Sequence, residues 1–270
     1  MHPIEHLRYV ARAQGADPSS LVDETAHALG SLHFDPSGLV VACRRIVERH
    51  PFTGALWWLC ANVVTSAEPF EAVWELADAI RSDRTGAELA AVLPDEATVV
   101  TIGDPDVIGD GLIRRGDVQV LALDAGYTAT SFVRRLERYD VDVEAVDAGV
   151  AGAAVRSADV VLVEALAADS GRVLVPSGSS TIAAAASAFG TESWIVAGVG
   201  RRLPSGFLDA MVAKVDALAE EVDPWGLDVE VIPTSMFTHV VGPHGKVPMG
   251  PPAIVAECPM AHELLRPSHI

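Results

Sequence analysis

Apolar residues recur at helical spacing through the first third of the chain, then at strand spacing in short bursts through the rest. Ile4 to Ala13 reads as a short amphipathic segment. Ser19-Ser20-Leu21-Val22-Asp23-Glu24 is a capping sequence with Ser20 at the N-cap, and it opens a helix through about Leu29. Asp35-Pro36-Ser37 caps a second helix from Gly38 to Glu48, which carries Leu39, Val40, Ile46 and Val47. His50-Pro51-Phe52-Thr53 marks a break before an apolar helix from Gly54 to about Thr65. Glu68-Pro69 starts another that ends near Ile80. These four helices, joined by short connections, predict a helical N-terminal subdomain over residues 1–92.

Beyond Pro94 the period shortens. Ala97 to Ile102 is a β-branched run that stops at Gly103-Asp104-Pro105. Val118 to Leu123 is a second strand, ending at Asp124-Ala125-Gly126. Thr130 to Tyr139 has helical spacing, and Val141 to Val146 follows as a strand. Val160 to Val163, Val173 to Val175 and Ser193 to Ala197 are further strands, with a helix over Thr181 to Phe189 between the last two. Val229 to Pro233, then Phe237 to Val241, precede a Gly/Pro-rich end. Short apolar strands alternating with helices imply a parallel sheet covered on both faces. The fold class is therefore α/β: a helical subdomain followed, over residues 93–270, by a Rossmann-like, mostly parallel sheet flanked by helices.

Composition narrows the function classes. The longest apolar runs have strand length, short of the roughly 20 residues that span a bilayer. The N-terminus lacks the basic-then-apolar layout of a signal peptide, which points to the cytoplasm. Cys43, Cys60 and Cys258 are widely spaced, form no CxxC pair, and suit buried thiols in a reducing compartment. Net charge is -18, the acid is spread along the whole chain, and Lys214 and Lys246 are the only lysines. Abundant Asp and Glu with Arg favoured over Lys suits a halophilic, high-salt cell interior, where self-repulsion is screened. Such a surface repels nucleic-acid phosphates, and no basic stripe offsets it.

Candidate chemistry gathers where strands lead into loops, because ligands of open α/β sheets bind outside the carboxyl ends of the strands. In Ser177-Gly178-Ser179-Ser180-Thr181 a strand ends, a glycine lets the backbone approach, and hydroxyls precede an Ala-rich helix. Either this turn holds an anion such as a phosphate on the helix N-terminus, or the hydroxyls are ordinary caps. No Lys follows the glycine, so it is not a P-loop. After the first strand, Gly103 allows close approach, and Asp104 and Asp106 either orient a sugar hydroxyl or a metal, or cap the next helix. Glu164 and Asp124 each end a strand and either face a ligand or reach solvent. His239 and His244 are isolated, and neither an HExxH nor a His/Cys cluster marks a metal site. No cofactor motif and no GxSxG elbow is present.

The order of these segments resembles the family that contains the alpha, beta and delta subunits of translation initiation factor 2B, ribose-1,5-bisphosphate isomerase and methylthioribose-1-phosphate isomerase. His50 to Leu56 is similar to the family's Arg-Pro-Thr helix start, and Thr98 to Pro105 to its strand ending in Thr-His-Cys-Asn-Ser. Gln119 to Asp124 resembles the strand that closes on an acidic residue, and Val160 to Leu166 the Gly-Ala-Asp strand. Ser170 to Ser179 resembles the segment ending in Asn-Lys-Ile-Gly-Thr, and Ile232 to Val247 the closing Thr-Pro…Ile-Thr…Gly pattern.

The resemblance implies a dimer or higher oligomer, a small phosphorylated metabolite or nucleotide as ligand, or a protein partner. The family isomerases use a cysteine and an aspartate at positions held here by Gly103 and Leu166, which carry no proton. Val175 and Pro176 replace the Asn-Lys pair, and the arginine after Asp124 is missing. The leading expectation is a non-catalytic, 2B-like regulatory or ligand-binding protein. Two alternatives stand beside it. One is an isomerase using Asp104, Glu164 or Asp124 as acid and base, and the other a structural interaction module without a ligand.

Overall fold

A computed structural model describes residues 18–31, 36–124, 129–251 and 253–266. Ile4 to Ala13 and Asp35 lie outside them. The first helices are α1 (Pro18–Gly30), α2 (Pro36–Arg49), α3 (Gly54–Thr65) and α4 (Pro69–Arg81). The first begins two residues ahead of the Ser20 cap expected from sequence. A further helix, α5 (Thr85–Val92), was not anticipated by the pattern. Asp83 starts it, accepting from the Thr85 amide at 2.8 Å and the Thr85 hydroxyl at 2.6 Å.

The sheet then alternates with helices: β1 (Thr98–Ile102), α6 (Asp106–Arg115), β2 (Gln119–Asp124), α7 (Ala129–Glu137), β3 (Asp142–Asp147), α8 (Ala151–Ser157) and β4 (Val160–Glu164). Two strands of a different sheet follow, β5 (Ala167–Ala168) and β6 (Arg172–Pro176). After them come α9 (Ser179–Phe189), β7 (Glu192–Val196), α10 (Ser205–Glu221), β8 (Val229–Pro233), β9 (His239–Gly242) and β10 (Gly245–Pro248). The main sheet has seven strands in the order β10-β9-β7-β4-β1-β2-β3. Every pairing in it is parallel except β9 with β10.

The sequence expectation placed Val173 to Val175 in the parallel sheet. Instead β6 is the middle strand of a three-stranded antiparallel sheet, order β5-β6-β8. Chain length explains the correction. Residues 165–171 are too few for the crossover of a dozen or more residues that a parallel return requires.

Each face of the main sheet carries its own core. On one side Leu89, Ile108, Leu112, Phe132 and Leu136 from α5, α6 and α7 pack under Trp194. On the other, Val155, Ile182, Ala183 and Ala186 from α8 and α9 pack on Val161, Val163 and Ile195. Covering both faces lets β4 be buried at every position.

The third core joins the front helices to the small sheet. Leu56, Leu59 and Cys60 of α3 meet Ala167 of β5, Leu174 of β6, and Phe207 and Met211 of α10. Helix α3 is apolar all round and buried along most of its length, as a central helix must be. Its first residue, Gly54, donates its amide to the Leu166 carbonyl at 3.1 Å. A β-carbon at Gly54 would collide with that same carbonyl oxygen, so the junction admits glycine.

Candidate functional site

The chain runs from β1 outward through β2 and β3, then returns to lay β4 on the other side of β1. The carboxyl ends of β1 and β4 therefore flank the topological switch point, where an open α/β sheet has its crevice. Gly103 leaves β1 with φ 79°, a left-handed turn that glycine adopts without strain.

The carboxylates predicted from sequence lie near these strand ends but have structural partners. Asp104 accepts from the Ser131 hydroxyl at 2.6 Å and pairs with Arg135 at 3.3 Å, tethering the loop to α7. Arg135 also reaches Asp106, at 3.4 Å. Asp124 accepts from the Ala129 amide at 3.3 Å and so caps α7. Glu164 is 7% exposed and accepts from the Ile108 amide at 3.1 Å, which seats its carboxylate at the N-terminus of α6. Burial pushes the Glu164 carboxyl above its ordinary range, opposed by Arg201, the α6 amides and Arg135.

The Ser177 to Thr181 turn also has its donors engaged. The Ser177 hydroxyl donates to the Leu227 carbonyl at 2.5 Å and the Ser179 hydroxyl to the Pro176 carbonyl at 2.6 Å. At Ser180 both amide and hydroxyl donate to the Glu230 carboxylate. The anion position at the N-terminus of α9 is thus taken by a carboxylate of the chain itself. Gly178, at φ 93°, packs so closely that a β-carbon there would come within 2.9 Å of the Ile102 side chain. Thr181 is exposed.

A residue the sequence reading passed over stands at the end of β7. Gly198-Val199-Gly200-Arg201 leaves that strand, and Gly200 packs against Ala55, Trp58 and Ile80 of the front helices. Asp83 accepts from the Val199 amide at 2.9 Å, and the Gly200 amide donates to Glu257 at 3.0 Å. The Arg201 side chain is 6% exposed and lies 3.9 Å from Glu164. Its Nε is buried without a hydrogen-bond partner among the described residues. It lines a cavity of about 210 Å³ with Arg81, Asp83, Asp106, Asp110 and Val199, between the helical region and the sheet's strand ends. Two glycines just ahead of an arginine, after a predicted strand, were the available signal.

Among the described residues no three His, Cys, Asp or Glu side chains gather as metal ligands, and no helix is long and apolar enough to cross a membrane. The three cysteines are free and buried. Burial raises the thiols of Cys60, with Cys43 adding to the shift, and of Cys258, which is pushed up to about 12 by burial and then Glu257.

A helical region packed against a Rossmann-like sheet is an architecture with known representatives. The chain has the fold of the subunits of translation initiation factor 2B. Over 94% of this chain and 98% of the other, it matches a translation initiation factor eIF-2B of Pyrococcus horikoshii OT3 with a TM-score of 0.76 and 15% identity. It matches a chain of the tetrameric eIF2B-beta2-delta2 complex of C. thermophilum with a TM-score of 0.71 and 13% identity, covering 92% and 90%. For eIF2B delta of Chaetomium thermophilum the TM-score is 0.65 at 18% identity, covering 89% and 96%. No family model matches the sequence, and no curated protein matches it significantly. The structural likeness agrees with the resemblance carried by the sequence segments.

Proposed function

We propose that the chain is a 2B-like regulatory protein that holds a small phosphorylated metabolite against Arg201 without isomerising it. One observation carries this reading: a guanidinium almost wholly removed from solvent, with its Nε unpartnered, lines a cavity at the strand ends. Burying such a donor unsatisfied costs free energy that an anionic ligand would recover. The sequence-predicted turn at Gly178 lines a different groove, and Arg201 takes its place as the anion's partner. Gly103 and Leu166 supply no acid or base, and the Leu166 carbonyl is bound to Gly54. In this reading the protein acts in the cytoplasm through contacts within an oligomer, of which the tetrameric C. thermophilum complex is one example of the fold.

Thermal denaturation with ribose-1,5-bisphosphate, ribose-5-phosphate and AMP tests the proposal. A ligand at 100 times its Kd should stabilise the native chain by about 2.7 kcal/mol. Arg201→Gln should abolish that shift, and the phosphorylated compound should be recovered unchanged. No shift with any phosphate would favour a scaffold without a ligand.

The rival reading, an active isomerase, draws on Glu164. A buried carboxyl with a raised pKa at a strand end has the character of a general acid or base. Turnover of ribose-1,5-bisphosphate that disappears in Glu164→Gln would establish it.

A further inference from the structure

A second groove, of about 430 Å³, runs between α10 and the outer edge of β8. Among the described residues β8 pairs only with β6, so its other edge carries no strand. Two bonds flanking the ladder fix its phase. The Ser177 amide donates to the Asp228 carbonyl, and the Thr234 amide to the Gly171 carbonyl, each at 3.0 Å. Hydrogen-bonded pairs alternate with non-bonded ones in an antiparallel ladder. Glu230 and Ile232 therefore turn their backbone groups toward β6, opposite Val175 and Val173. Val229 and Val231 present theirs to the open edge. The prolines agree: Pro176 and Pro233, which have no N–H, both fall on the non-bonded pairs.

The groove beside this edge has an apolar wall and a negative rim. Val212 and Val215 of α10 form the wall, and Asp216 and Glu230 add two carboxylates. Trp225 stands at the mouth, 85% exposed. Among the described residues no Lys or Arg lines the groove.

We infer that this groove receives an extended, basic segment of a partner protein, which adds a strand to β8. The backbone of such a segment bonds to Val229 and Val231. Alternate side chains meet the valine wall, and Arg or Lys between them stacks on Trp225 and pairs with Asp216. Charge argues against a second copy of the chain. At net charge -18, edge-to-edge apposition would set Asp216, Asp228 and Glu230 close to the same acidic edge of the other copy.

The probe is a synthetic peptide of alternating valine and arginine, with a valine–glutamate peptide as counterpart. Both are titrated by fluorescence polarisation at the lowest salt in which the protein stays folded. The basic peptide should bind, quench Trp225, and slow amide exchange at Val229 and Val231 by about tenfold or more, leaving the β6-paired amides of Glu230 and Ile232 unchanged. Val231→Pro should abolish binding while preserving the β6 ladder. Trp225→Ala and Asp216→Lys should each weaken binding by about tenfold, and they carry the test if the proline variant fails to fold. Arg201→Gln should leave peptide binding intact, which separates this site from the anion cavity. Equal binding of the acidic peptide, unchanged exchange at Val229 and Val231, or indifference to Trp225→Ala and Asp216→Lys would overturn the proposal. So would sedimentation showing a dimer that Val231→Pro splits, since a second copy would then hold the edge.

Discussion

Glu230 grips Ser180 with both carboxylate oxygens, Oε1 on the amide and Oε2 on the hydroxyl, each at 2.8 Å. An acidic residue from β8 thereby caps α9, which starts just after β6, and ties the small sheet to a helix of the main one. The same contact closes the anion position that the Ser177 to Thr181 turn would otherwise offer.

Removing the clamp should expose that position. Glu230→Ala is expected to destabilise the chain by about 1–2 kcal/mol through the lost cap. It should also make stability respond to inorganic phosphate more steeply than in the parent. Thermal melts across a phosphate series, repeated with Arg201→Gln added, check both effects; the added response should survive the second substitution.

Glu164 sets a pH dependence of definite sign. Its folded pKa lies above the ordinary 4.5, so the native state binds more protons than the unfolded chain between the two values. Its contribution to stability is therefore greatest below pH 4.5 and falls as pH rises through the folded pKa. Urea titrations from pH 4 to 8 should show parent stability minus Glu164→Gln stability declining with pH. A difference that grows with pH would contradict the burial account.

The front helices meet the small sheet through a contact that tolerates no side chain. Gly54→Ala should cost about 1–3 kcal/mol, because the new methyl must push the Leu166 carbonyl away from the amide it accepts. Chemical denaturation with an unchanged m-value would locate the effect in the native state.

Charge makes salt a stabiliser. With net charge -18 spread over the surface, raising KCl from about 0.1 M to about 1 M shortens the Debye length from roughly 10 Å to 3 Å and should raise the melting temperature. A fall over that interval would remove the high-salt interpretation of the composition.

The fold was legible where the residue pattern was local and strong. β1, β2, β3, β4 and β7 were each expected within a residue or two, because β-branched runs between turn residues have few other uses. Partnership was harder to read. Val173 to Val175 looks like any buried strand, and only the short connection before it bars it from the parallel sheet. The helices α5, α8 and α10 were missed; α5 and α8 are each a single short Ala-rich stretch.

Of the site, Glu164 was placed correctly at a strand end, but its engagement with the α6 amides depends on a fold contact 56 residues away. Glu230 reaches Ser180 across 50 residues, and no spacing rule in sequence connects them. Arg201 reads as one arginine among many until the fold buries it.

The packing of α3 against β5, β6 and α10 also determines how the molecule comes apart. Its apolar residues pack on the other front helices on one side and on the small sheet and α10 on the other, so pulling the two regions apart leaves both with wet hydrophobic faces. Heating should melt them in a single cooperative step, and a chain cut after Val92 should yield two fragments that persist only when mixed.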